Sequence, residues 1–137
     1  MPTIRVATLD DVPQVVDLWD RAAGPTRRAG RIPEARQLLE RDPEALVIAV
    51  EGDEIVGTLI VGWDGWRCHL YRLAVEPAFR RRGIARALVD AARARAAAVG
   101  AFRLDAMVRL DNAPAVALWE AAGFEVTGDD GRFSLPV

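Results

Sequence analysis

Residues 73–86, LAVEPAFRRRGIAR, hold the turn on which the reading of the whole chain rests. Leu73-Ala74-Val75 reads as the end of a strand, and Pro77 stops it by removing a ladder donor. Arg80, Arg81 and Arg82 form a basic turn, and Gly83 opens an alanine-rich stretch with Ile84, Leu88, Ala91, Ala92 and Val99 at helical spacing. Strand, cationic turn, glycine and helix start together describe an anion site. The N–H groups of a helix's first turn lack partners, and the aligned peptide dipoles favour negative charge there. A side chain at position 83 would block close approach of ligand oxygens to the main chain. The arginines add donors suited to phosphate. Residues 80–85 alone read equally well as an ordinary helix entry with solvated arginines, so the surrounding chain has to decide.

On the N-terminal side, residues 3–7 read as a strand, and Thr8-Leu9-Asp10-Asp11 resembles a capping box. Val12, Val15, Val16, Trp19, Ala22 and Ala23 then recur at helical spacing up to Gly24-Pro25. Residues 27–31 are a loop, and a second helix spans 33–41. The period then changes: residues 45–50, 55–63 and 67–75 read as three strands joined by the tight turns Gly52-Asp53 and Asp64-Gly65. The second turn would set Trp63 opposite Trp66 as an aromatic pair. Beyond the long helix, which ends at Gly100, residues 102–108 form a strand reached by a parallel crossover. Asp111 or Asn112 caps a last helix with Pro114 in its first turn, and Gly123-Phe124 ends it. Two short strands, 124–127 and 132–135, flank a turn at 128–131. The order β-α-α-β-β-β-α-β-α-β-β describes one α/β domain over residues 1–137, with a mixed, mostly antiparallel sheet flanked by helices.

The totals narrow the function. The chain has 137 residues, 51% hydrophobic and 28% charged, enough for a core without staples. One cysteine, Cys68, and one histidine, His69, leave no internal disulfide and no Cys- or His-rich metal cluster, so no metal is expected. A net charge of −2 argues against bulk nucleic-acid binding. The strongest apolar run, residues 45–50, is too short to cross a bilayer, and the N-terminus lacks a signal-peptide pattern. A cytoplasmic protein without a membrane partner is the expectation. All 18 basic residues are arginine, a compositional bias before it is chemistry.

With these elements in place the chain resembles the GNAT superfamily of acetyl-CoA-dependent N-acetyltransferases. Arg80-Arg81-Arg82-Gly83-Ile84-Ala85 fits that family's Q/R-x-x-G-x-G/A pyrophosphate loop, and Leu73-Ala74-Val75 fits the end of its fourth strand. Asn112-x-x-Ala115 and Gly123-Phe124 fit the start and end of its later motif, and the first strand and two helices fit its first segment. The resemblance implies acetyl-CoA as co-substrate, an amine acceptor whose identity is unspecified, and direct transfer; a homodimer stays open. It implies that strands 67–75 and 102–108 splay apart for pantetheine, which would pair with Leu73 and Val75. The Val75 N–H region would polarise the thioester carbonyl. Cofactor contacts are implied at Leu73, Ala74, Val75, Arg80, Arg81, Arg82, Gly83, Ile84, Ala85, Arg86, Asn112, Ala115 and Trp119.

Direct transfer needs an amine without its extra proton, and the leaving thiolate can use one. Many members supply that second proton from a tyrosine seven residues after the motif's asparagine, where this chain has Trp119; an indole donates a hydrogen bond but is no general acid near neutrality. His69 stands about where some members carry a catalytic glutamate, and an unperturbed imidazole titrates near pH ~6.5, so it is the candidate base. A packed or solvent-facing histidine is the alternative. Tyr71 shares its strand parity and is the candidate acid, or a core tyrosine. Arg21, Arg27, Arg28, Arg31 and Arg36 fall where the family lines its acceptor cleft, and read as anion selectors or as a solvated loop face. The other reading is a GNAT-shaped module that binds acyl-CoA without turnover.

Overall fold

The structure is a computed structural model that describes residues 2–22, 31–128 and 133–137. Five strands form one sheet in the order β1 (Thr3–Val6), β2 (Leu46–Glu51), β3 (Glu54–Trp63), β4 (Cys68–Val75) and β5 (Leu104–Ala106). The first three pairings are antiparallel and β4–β5 is parallel, so the sheet is mixed and mostly antiparallel as expected. Helices α1 (Val12–Ala22) and α2 (Ile32–Arg41) precede β2, α3 (Ile84–Val99) connects β4 to β5, and α4 (Ala113–Ala121) follows β5.

Strand alternation feeds two cores, one on each face. Val47, Ala49, Leu59, Val61 and Leu70 pack against Ile84, Leu88, Val89 and Ala92 of α3, with Trp119 of α4 alongside. Leu46 and Ile48 point the other way, onto Val12, Val15, Val16 and Trp19 of α1 and Leu39 of α2. The start of α3 lies close to the sheet because Gly57 has no side chain. A Cβ there would meet Ile84 Cγ2 at 2.9 Å and Leu88 Cδ1 at 3.1 Å. Farther along α3, Arg95 donates to the Val61 carbonyl and to Asp42 Oδ2, tying the helix to β3 and to the end of α2.

The β2–β3 hairpin has the expected two-residue turn, with Glu51 opposite Glu54. The next turn differs. Trp63 pairs with Cys68, and Trp66 sits in the turn, 74% exposed, so the Trp63–Trp66 pair does not form. Asp64 is the reason: its Oδ1 accepts from the N–H groups of Trp66 at 2.8 Å and Arg67 at 2.7 Å, an Asx turn that lengthens the loop. These two amides hold the Asp64 carboxyl below the usual carboxylate range.

Phe124 closes α4 as expected, its N–H donating to the Trp119 carbonyl and its ring edge-on to the indole at 4.9 Å. The two strands expected after it are not seen among the described residues: 124–128 and 133–137 carry no strand, and 129–132 lie outside the description. The helix-ending Gly24-Pro25 and the arginines at 27 and 28 likewise lie outside the described residues.

Candidate active site

β4 and β5 pair only from Cys68–Leu104 to Leu70–Ala106; β5 then ends while β4 runs on to Val75. Just past the point of parting, β4 is bulged. Thr58 faces Ala74 and Ile60 faces Tyr71, so Leu59 alone opposes both Arg72 and Leu73. Arg72 takes the left-handed conformation, φ +52°. The bulge shifts side-chain parity by one: Cys68 and Leu70 before it and Leu73 and Val75 after it all face α3. It also decides which main-chain groups face outward. The Glu76 N–H bonds back to Val56 of β3 at 2.8 Å, so by alternation Leu73 and Val75 present theirs to the edge that β5 has left.

That edge is one wall of a cleft of about 680 Å³. Leu73, Ala74 and Val75 line one side, Arg80, Arg81, Gly83, Ile84, Ala85 and Arg86 the end, and Asn112, Ala115 and Leu118 the other side. Of the cofactor contacts expected from the sequence, Arg82 and Trp119 are not among the lining residues. The Arg82 guanidinium lies over the Phe79 ring at 4.9 Å. Trp119 is 7% exposed, packed in the core with Phe124. Asn112 caps α4, its Oδ1 accepting from the Ala115 N–H at 3.2 Å.

The end of the cleft is electropositive for local reasons. Gly83 precedes α3 with φ +80°; among the described residues no side chain caps this helix start, and its first turn holds no acid. A Cβ at Gly83 would meet no atom of the described residues within 4 Å. Arg81 is also left-handed, φ +66°, which turns the chain sharply just before the helix. Arg80 folds back and donates from Nε to the Val75 carbonyl at 3.3 Å. At the mouth, Arg21 bridges Asp17 at 3.0 Å and Glu76 at 2.7 Å, and its bond to Glu76 raises its pKa. The arginine expected among acceptor selectors thus stands on the wall of this cleft, while Arg31 pairs with Glu34 at 3.4 Å.

His69 and Tyr71 alternate with Cys68 and Leu70, which face α3, so they stand on the opposite, α1/α2 side of the sheet. Their rings are 6.4 Å apart, and Tyr71, 49% exposed, lies across Gly62 of β3. Neither lines the cleft. Burial pushes the Cys68 thiol up, which fits a packed thiol rather than a nucleophile. Sequence reasoning missed the bulge, although one signal was present. The apolar pairs 68/70 and 73/75 are out of phase by one, which a single extra residue repairs.

The open strand edge thus leads to an arginine-flanked helix start across one cleft. The model of the Acetyltransferase (GNAT) family matches residues 12–124, and the chain belongs to that family. An acetyltransferase of Pectobacterium atrosepticum is 36% identical over 124 residues, 89% of this chain and 86% of its own. Among solved structures, Ard1 from Thermoplasma volcanium superposes with TM-score 0.79 at 22% identity, covering 93% of this chain and 84% of that one. A putative acetyltransferase of Salmonella typhimurium, yncA, solved with its cofactor acetyl-CoA, superposes with TM-score 0.75 at 20% identity, covering 93% and 81%. At these identities the structures show a shared fold. Among the described residues no helix is long and apolar enough to cross a membrane, and no group of three or more His, Cys, Asp or Glu is arranged to hold a metal ion.

Proposed function

We propose that this protein transfers an acetyl group from acetyl-CoA to a primary amine of a small molecule or peptide, with both substrates bound together. The observation that carries the reading is the uncapped α3 start, which opens into the cleft below the free β4 edge. Family membership and the acetyl-CoA bound by yncA agree with it. Amides from Arg81 to Arg86 would take the diphosphate charge, with Arg80, Arg81 and Arg86 beside them. Leu73 and Val75 offer main-chain groups to the amide-bearing arm, and Asn112, Ala115 and Leu118 close the other side against water. When bound, acetyl-CoA supplies a thioester whose thiol, with a pKa of about 8.5 by analogy with cysteine, is a tolerable leaving group near neutrality. Trp119, buried in the core, is therefore not needed as an acid.

The amine would reach the bulge from the α1/α2 side, where His69 and Tyr71 stand on one strand face. His69 is the group we assign to take the ammonium's proton, with Tyr71 beside it as donor. Incubation with acetyl-CoA and a panel of amines, followed by free thiol, tests the reaction. Amine-dependent thiol release is expected, and His69→Ala should lower kcat at least tenfold with little change in KM for acetyl-CoA. Tight acetyl-CoA binding without release for any amine would instead identify a non-catalytic acyl-CoA module.

A further inference from the structure

The bulge that opens the cleft is itself held from behind by a side chain outside the cleft. Thr58 is fully buried in β3. Its Oγ1 donates to the Arg72 carbonyl at 2.9 Å and accepts from Trp19 Nε1 of α1 at 2.8 Å. An indole nitrogen can only donate, so the direction is fixed: the hydroxyl's single proton goes to Arg72. Donor, hydroxyl and carbonyl form a chain in which each bond polarises the next. The Arg72 guanidinium then lies over the Trp19 ring at 5.1 Å, closing the circuit on its other side.

A bulge needs such a device. Two residues oppose one, so the ladder is locally disrupted, and a buried carbonyl there needs a donor. Arg72 adds the strain of a left-handed conformation in a residue with a side chain. Thr58 answers both by pinning that carbonyl. Everything downstream depends on the same kink: the parity of Leu73 and Val75, and the direction in which their outward main-chain groups face the cleft.

We infer that Thr58, locked by Trp19, is a positioning residue that holds the β4 edge in register for the pantetheine arm, without touching either substrate. This rests on the acetyl-CoA reading above. It predicts that a binding property of the cleft depends on one buried hydroxyl on the far side of the strand.

Calorimetric titration of CoA into wild type, Thr58→Ser and Thr58→Val tests it, with near-ultraviolet circular dichroism to verify folding. Serine keeps the hydroxyl and should bind within about twofold of wild type, whereas isosteric valine should bind at least tenfold more weakly. Trp19→Phe, which keeps the ring and loses only the donor, should bind about threefold more weakly and covers the case in which the valine variant does not fold. Wild-type affinity in folded Thr58→Val, or in Trp19→Phe if valine does not fold, overturns the inference. Absence of CoA binding by wild type would instead sink the acetyl-CoA reading itself, so the two failures are distinct.

Discussion

Arg80 Nε donates to the main-chain oxygen of Val75 at 3.3 Å, so the first arginine of the basic turn is anchored to the strand it follows. This bond sets the spacing between the open strand edge and the helix start, the two parts of the cleft that an extended ligand must reach together. Arg82, stacked on Phe79 and absent from the lining, has no such part. Arg80→Ala should weaken CoA binding roughly tenfold, the scale of a lost hydrogen bond from a charged donor. Arg82→Ala should change it less than about threefold. Calorimetry on the two variants gives the comparison, and equal losses would contradict it.

Gly83 combines a left-handed φ of +80° with open space where its Cβ would stand. The cost of a side chain is therefore conformational within the protein and steric only towards a ligand. Gly83→Val should lower stability in urea by roughly 1–2 kcal/mol while weakening CoA binding more than tenfold.

Gly57 presents the opposite case. Its added Cβ would collide with Ile84 and Leu88 at the start of α3. Gly57→Ala should cost about 1–3 kcal/mol and also weaken CoA binding, because the displaced residues open the helix proposed to face the ligand. Destabilisation with unchanged affinity would show that the helix start tolerates movement.

The Asp11 carboxyl is held down at about 2, chiefly by the Arg5 guanidinium at 2.8 Å, with the Thr8 N–H assisting. Its folded value lies below its unfolded one, near 3.8, so the stabilisation is present above the unfolded value and is lost as pH falls through about 2. Arg5 is 42% exposed, so solvent limits the effect to about 1 kcal/mol. Asp11→Asn should be less stable than wild type by that amount at pH 7, and the gap should narrow below the unfolded value and close as pH falls below about 2. A gap independent of pH would assign it to the cap rather than the charge.

Much of this site was legible because its signals are local. Pro77, Gly83 and the spacing of Ile84, Leu88 and Ala92 mark the end of a strand and the start of a helix within twenty residues. Asn112, Pro114 and Gly123-Phe124 bracket α4 in the same way. What escaped depends on partners distant in the chain. Near Arg72 the signal is no more than the one-residue slip between the apolar pairs 68/70 and 73/75, because the groups that hold the bulge are Thr58 and Trp19, the latter 39 positions from the former. Trp119 occupies the position of a cofactor contact in the motif, yet the ring of Phe124 keeps it in the core.

The most direct measurement is an amide correlation spectrum of isotopically labelled protein titrated with CoA. The largest shifts should fall on the N–H signals of residues 81–86, with smaller ones at Leu73 and Val75. Saturable shifts confined to another surface, or none at millimolar CoA, would contradict the acetyl-CoA reading.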